Sequence, residues 1–305
     1  MQKFLLFLGA LLTTCATQAN PINIYYTVGV GPSFGLIPTT IATLEHANAT
    51  QSKYKFTIDF KPGANGLLAV KAIDKDPVNR IVGVGPHFLR HVENKTVSMN
   101  DYVPVEFTGY DMCTGVVANI GDTKLGIDSL EGLRGKTITV GTLSPASPAF
   151  STAVELSKRY GFVPKFVAFE SDNAGFQALV NNHGINFAFI NPERYLQHLP
   201  ENPKLQLLAV HCPKRLESMP HVKTLAEQNI HVPTVFNMML AKSNMPAQQR
   251  KEIGKILADS RDAIDLWTKM PHLSRPTGPD WHYTRLYEQQ SFMAKVATIG
   301  KQATQ

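Results

Sequence analysis

The chain has little of what builds metal centres and disulfide frameworks. Only three of its 305 residues are cysteines, and no Cys-x-x-Cys spacing occurs among them. Structural zinc sites draw their ligands from closely spaced Cys and His clusters. We therefore predict neither a structural metal nor a cofactor.

Long apolar runs are also lacking, except at the N-terminus. Lys3 precedes the apolar run Phe4 to Leu12, and Thr17-Gln18-Ala19 follows, which is the pattern of a secretory signal peptide. The run is shorter than the roughly 20 apolar residues that a membrane span needs. We predict a cleavable signal at 1–19 and export to the periplasm. Lipidation at Cys15 is less favoured, because the residue before it is the bulky Thr14.

Charge of one sign is not concentrated anywhere in the sequence. The chain has 30 Lys and Arg against 24 Asp and Glu, a formal net charge of +6, and its basic residues are scattered without interleaved aromatics. This distribution speaks against a nucleic-acid partner. The length indicates two domains, at roughly 150 residues for each.

Two cysteines, Cys113 and Cys212, remain after the predicted signal is removed. An oxidising compartment permits a disulfide between them. Two separate buried thiols are the alternative, and the spacing does not decide between them.

The rest of the chain alternates between strand-like and helix-like patterns. This alternation predicts an α/β fold with mixed, mainly parallel sheets, and helical periodicity without strands at 246–267 and 280–299. The predicted strands are 22–30, 54–60, 80–85, 112–118, 136–141, 163–168, 185–190, 205–211 and 235–241. The predicted helices between them lie near 36–46, 66–73, 147–160, 173–182 and 222–228.

Small and polar residues mark the corners where strands turn into helices. In Lys61-Pro62-Gly63-Ala64-Asn65-Gly66, two glycines and a proline separate a strand from a helix. Unpaired N–H groups at a helix start favour an anion. Similar corners recur at 29–39, 85–88, 141–151 and 171–175. Because the carboxyl ends of parallel strands share one edge, we predict a small-molecule cleft there, with Ser147 as a helix N-cap and Pro148 in the first turn.

One pattern favours an enzyme instead. Gly31-Pro32-Ser33-Phe34-Gly35 fits the Gly-x-Ser-x-Gly nucleophile elbow of α/β hydrolases and lies between a strand and a helix. That fold builds several strands before its nucleophile, however, and Ser33 follows the first strand. A secreted serine hydrolase is therefore the alternative, and a non-enzymatic binding protein is the main prediction.

The chain resembles the substrate-binding proteins of tripartite tricarboxylate transporters, the Bug or TctC family. The segment 61–66 is similar to the family's Asn-Arg-Pro-Gly-Ala-Gly-Gly corner, and Val116-Val117-Ala118-Asn119 with 128–135 resembles its middle strand and following helix. Leu208-Ala209-Val210 and the later Met219 to Glu227 are similar to an Ala-Val strand and Leu-Pro-x-Val-x-Thr-Leu-Ala-Glu. The matches follow the family's order over most of the mature chain.

The resemblance implies a type II periplasmic binding protein, in which two lobes close on a ligand like a Venus flytrap. Lobe 1 would be 20–118 with 236–305 and lobe 2 would be 119–235, with crossings near 117–121 and 232–236. The implied partners are a small organic anion, a carboxylate, and the membrane permease subunits of a tripartite transporter. The chain would act as a monomer. An envelope sensor that contacts a receptor instead of a permease is a further alternative.

The resemblance also implies ligand-facing positions, to which the corner after the third strand adds Gly85. The candidate ligand-binding residues are Ser33, Phe34, Gly63, Ala64, Asn65, Gly66, Gly85, Ser144, Ser147, Asn173, Ala174 and Asn191. The chain departs from the family in three places, one of which is Asp76-Pro77-Val78-Asn79 where the family has Asp-Gly-Tyr. Pro32-Ser33-Phe34-Gly35 replaces an Asp or Gly-Gly, and Phe150 or Ser151 stands where a His is usual, so the ligand is expected to differ too.

Overall fold

The computed structural model describes residues 19–27, 36–61, 63, 66–75, 80–121, 127–143, 147–170, 172–278 and 280–302, without the side chains of residues 36, 172 and 295–302. Its strands are β1 (Asn20–Tyr26), β2 (Tyr54–Phe60), β3 (Arg80–Val84), β4 (Tyr102–Pro104), β5 (Tyr110–Met112), β6 (Thr114–Asn119), β7 (Thr137–Thr142), β8 (Val163–Ala168), β9 (Phe187–Ile190), β10 (Leu205–His211), β11 (Val235–Lys242) and β12 (Leu273–Ser274).

The helices occupy the predicted places between strands, with two additional short ones, α3 and α6. They are α1 (Leu36–Thr50), α2 (Leu67–Asp74), α3 (Phe88–Glu93), α4 (Pro148–Tyr160), α5 (Asp172–Val180), α6 (Pro192–His198), α7 (Ala247–Ala263), α8 (Leu266–Lys269) and α9 (Trp281–Gln302). None of these described helices is long and apolar enough to cross a membrane.

The described strands form two mixed sheets. The first has the order β12-β5-β11-β3-β1-β2, with β4 also paired to β11, and the second has the order β10-β6-β9-β7-β8. In the first sheet β1 runs parallel to β2 and β3, and in the second β7 runs parallel to β8 and β9. Each of these six parallel strands is followed by a helix, so both sheets have an edge at which strand ends meet helix starts.

Apolar side chains cover both faces of each sheet. In β1, Ile24 and Tyr26 belong to one buried cluster and Tyr25 to another. In β6, Val116 and Val117 likewise enter different clusters. Successive strand residues point to opposite faces, so strands buried on both sides read as the continuous apolar runs seen in the sequence.

Helix α4 shows why the sequence predicted its bounds correctly. The Ser147 hydroxyl accepts a hydrogen bond from the Phe150 N–H at 3.2 Å, and Pro148 occupies the first turn. At the other end, Gly161 adopts φ 67° and its N–H bonds to the Ser157 carbonyl at 2.8 Å. Both signals are local, so they can be read without knowledge of the tertiary structure.

The chain passes from the first sheet to the second at Cys113, between β5 and β6. The predicted strand 112–118 is therefore two strands in different sheets, and the passage precedes the expected crossing near 117–121. The return passage ends at Val235, within the expected 232–236. Cys113 and Cys212 form a disulfide with a Cα–Cα distance of 4.8 Å, which decides between the two alternatives for these cysteines.

The predicted helix at 222–228 is wrong over most of its length. Residue 224 forms a parallel bridge with Val210, and the Leu225 N–H bonds to the Val210 carbonyl at 2.9 Å. Only Ala226–Gln228 is helical, as a single 3-10 turn that Thr224 and Glu227 cap reciprocally. Val222 and Leu225, whose spacing suggested a helix, are buried on either side of this bridge to β10 instead.

Candidate functional site

The first corner of the candidate site lies where β1 and β3 end and α2 begins. Gly66 adopts φ 83°, and a Cβ built on it would lie 2.7 Å from Thr27 Cβ and 2.8 Å from His87 Nε2. The Gly66 N–H bonds to the Gly63 carbonyl at 2.9 Å, which closes the turn. Only glycine satisfies both this backbone conformation and this close approach.

His87 is the polar side chain at this corner, and its Nε2 is buried without a hydrogen-bond partner. Burial, and next the charge of His91 one helical turn later, lowers the pKa of His87 to about 4. The imidazole is therefore neutral near pH 7 and carries one N–H. A Cβ on Gly85 would lie 3.4 Å from the same ring, so Gly66 and Gly85, both predicted ligand-binding residues, contact one side chain.

The second corner lies at the strand-end edge of the second sheet. Arg194, in the first turn of α6, donates through its backbone N–H to Asn191 Oδ1 at 3.4 Å and through Nη2 to Asn173 Oδ1 at 3.3 Å. The predicted residues Asn173 and Asn191 thus meet at one arginine. Ala174 lies beside Asn173 in the first turn of α5.

Asn191 also connects this corner to the first sheet. Its Oδ1 accepts from the Glu193 N–H at 2.8 Å, and its Nδ2 lies 2.7 Å from His272 Nε2. His272 is buried, and its Nδ1 lies 2.8 Å from Glu193 Oε2. The His272 carbonyl accepts from the Cys113 N–H at 2.8 Å, beside β12 of the first sheet. Both polar groups of Asn191 therefore have protein partners, and capping α6 is its visible role.

The structure thus places seven predicted residues at the two corners, and Ser147 there is buried and caps α4. Ser33, Phe34, Ala64, Asn65 and Ser144 lie outside the described residues. Contact of any of the twelve with a ligand stays a prediction.

Sequence reasoning placed His87 in the corner 85–88 without naming it a ligand-binding residue, and it missed Thr27 and Arg194. His87 could have been named, because it stands two residues after Gly85, at the end of a strand. His87 and His91 also have the i, i+4 spacing of paired metal ligands, but a third ligand is needed. Among the described residues no group of three or more His, Cys, Asp or Glu side chains is placed to hold a metal ion.

This architecture, two mixed sheets joined by crossing segments with polar corners at their strand ends, is that of periplasmic binding proteins. The TctC solute-binding protein from Polaromonas, without ligand, superposes with TM-score 0.64 and 15% identity, over 92% of this chain and 99% of that one. MatC from Rhodopseudomonas palustris, with bound malate, gives TM-score 0.69 and 14% identity over 90% and 98%. R. palustris Rpa4515, with adipate, gives 0.71 and 16% over 92% and 96%.

These neighbours confirm the predicted α/β fold of a two-lobed periplasmic binding protein, and the Polaromonas protein is a TctC solute-binding protein, the group that the sequence resembles. No family model and no curated protein matches the sequence itself. At these identities the likeness shows the fold. The hydrolase alternative is not favoured, because the chain has the two-sheet fold of these neighbours and not the α/β-hydrolase fold to which the nucleophile elbow belongs.

Proposed function

We propose that the chain is an exported solute-binding protein that captures a small carboxylate between two lobes and delivers it to a membrane transporter. The observation that carries this proposal is the pair of strand-end corners. At each corner, predicted ligand-binding residues surround a nitrogen that is buried without a hydrogen-bond partner. This nitrogen is His87 Nε2 at the first corner and Arg194 Nε at the second. A buried donor without a partner costs free energy, and a bound anion would satisfy it. The guanidinium N–H is a donor in every state, and the imidazole is a donor here when its proton is on Nε2.

The sequence predicts lobes of 20–118 with 236–305 and of 119–235; because β6 pairs within the second sheet, lobe 2 in this proposal begins at Thr114, and the cleft lies between the strand-end edges of the two lobes. Two crossing segments allow the lobes to close as rigid bodies. Closure buries the ligand and presents a new surface, to which the permease subunits would dock. If only the closed form binds, the apparent affinity falls with the fraction of closed molecules.

Malate and adipate, the ligands named for two proteins of the same fold, set the size class that we propose for this chain. Both carry two carboxylates on a short carbon chain. We further propose that the protein works without bond chemistry, as a monomer, in the periplasm after removal of 1–19.

A thermal-shift screen of the mature chain against malate, succinate, adipate and citrate tests this proposal. A ligand that binds only the folded state stabilises it by about 2.7 kcal/mol at a concentration of 100 Kd, which raises the melting temperature measurably. We expect at least one dicarboxylate to do so saturably, with uncharged diamides of the same length as controls. Absence of a saturable shift with every acid would contradict carboxylate capture.

A further inference from the structure

Arg194 has an environment unlike that of the other described arginines of the second-sheet half. Its Nη2 is held by Asn173, which fixes the guanidinium between the first turns of α5 and α6, and its Nε is buried without a partner. Both helices follow strands that end at the same edge, β8 and β9. The guanidinium therefore lies at the edge where a ligand of this fold binds.

The charge of Arg194 is also uncompensated in the part of the chain that the structure describes. No carboxylate there forms an ion pair with it, and the adjacent Glu193 lies against His272 instead. By contrast, Arg215 pairs with Glu227 at 2.9 Å. Arg194 is half-buried, and its buried Nε–H lacks the acceptor that an anion arriving from outside would supply.

We propose that Arg194 holds a carboxylate of the solute and makes a full negative charge at that end a condition of binding. This inference rests on the proposed function and extends it to a charged residue. The other polar groups at the corners are amides, hydroxyls and a neutral imidazole. An arginine stays protonated at any physiological pH and presents a planar fork that matches a carboxylate. A neutral amide of the same shape should therefore be rejected at this corner.

The test is a double-mutant cycle between the protein and its probe. Titration calorimetry measures the binding of adipate and of its uncharged diamide to the wild-type chain, to Arg194→Gln and to Arg159→Gln. Arg159 is exposed in the last turn of α4, at the opposite end of that helix from the corner, so its substitution changes the net charge equally. Succinate or malate with its diamide replaces adipate if it binds more tightly in the screen.

We expect Arg194→Gln to weaken adipate binding about tenfold or more, the order expected for a hydrogen bond to a charged group, and Arg159→Gln to leave it unchanged. Binding of the uncharged diamide, already weak in the wild type, should change much less in Arg194→Gln, because neither of its ends forms a charge pair with the guanidinium. A purely structural role would weaken both probes equally.

Equal losses of affinity for both probes, or no loss, would overturn the role of Arg194. The proposed function would stand in that case, provided that the wild-type chain binds a dicarboxylate. Failure of the wild-type chain to bind any of these dicarboxylates would instead refute the proposed function and this inference with it. If Arg194→Gln does not fold, Arg194→Lys keeps the charge but loses the fork. It should weaken adipate binding several-fold more than diamide binding, and equal effects would again count against the assignment.

Discussion

At the scale of single residues, substitution of Gly66 measures how strongly the first corner depends on the close contact of Gly66 with Thr27 and His87. Gly66→Ala must accept a positive φ and also push Thr27 and His87 aside. Gly135 is a matched control, because it has φ 71° but no atom within 4 Å of an added Cβ. Each substitution should cost about 1 kcal/mol for the backbone conformation, and Gly66→Ala about 1–3 kcal/mol more for overpacking.

Urea unfolding of the two variants gives this difference directly. Gly66→Ala should also weaken dicarboxylate binding, because it displaces His87, whereas Gly135→Ala should not. Equal unfolding free energies for both variants would show that the corner relaxes freely and that the contact of Gly66 with His87 has no energetic weight.

At the scale of elements, the sequence predicted what depends on local signals. Strands and helices such as β7 and α4 follow from apolar runs, Ser147, Pro148 and Gly161. The break at Cys113 could not be predicted, because Met112 and Thr114 on its two sides are equally buried and only their pairing partners differ. Arg194 was missed for a similar reason: its neighbour Asn173 is distant in sequence, and only packing of α5 beside α6 brings them together.

The disulfide between Cys113, at the first passage, and Cys212, directly after β10, is the element-scale feature with the clearest stability effect. It closes a loop of sequence separation 99. Loop-closure entropy of the unfolded chain for about 100 residues corresponds to an upper value near 4.7 kcal/mol, and measured effects are about 2–4 kcal/mol. The double variant Cys113→Ala/Cys212→Ala should lose stability of that order in urea unfolding. A reductant should lower the wild type to the level of the variant and leave the variant unchanged; an equal response of both would argue against the bond.

At the scale of the whole molecule, buried histidines make stability depend on pH. Burial is the largest cause that lowers the pKa of His87, His211 and His282 from 6.5 to about 4 each. They lie in different parts of the chain, after β3, at the end of β10 and in α9. The folded protein keeps them neutral, while the unfolded chain takes up protons on them below pH 6.5.

The sign of the effect follows from this difference in protonation. The stability that depends on neutral histidines is fully present above pH 6.5 and is lost as the pH falls towards 4, because the unfolded state then binds more protons. We expect the unfolding free energy to be level near pH 7.5 and to decrease between pH 6.5 and 4, by up to about 1.4 kcal/mol per pH unit for each histidine. His211→Gln should reduce this slope, whatever its effect at neutral pH, whereas substitution of the exposed His221 by Gln should not. An unchanged slope in His211→Gln would mean that this imidazole is not kept neutral by the fold, and acid sensitivity would then come from His87, His282 and carboxylates such as Glu227, whose pKa the side chain of Arg215 lowers.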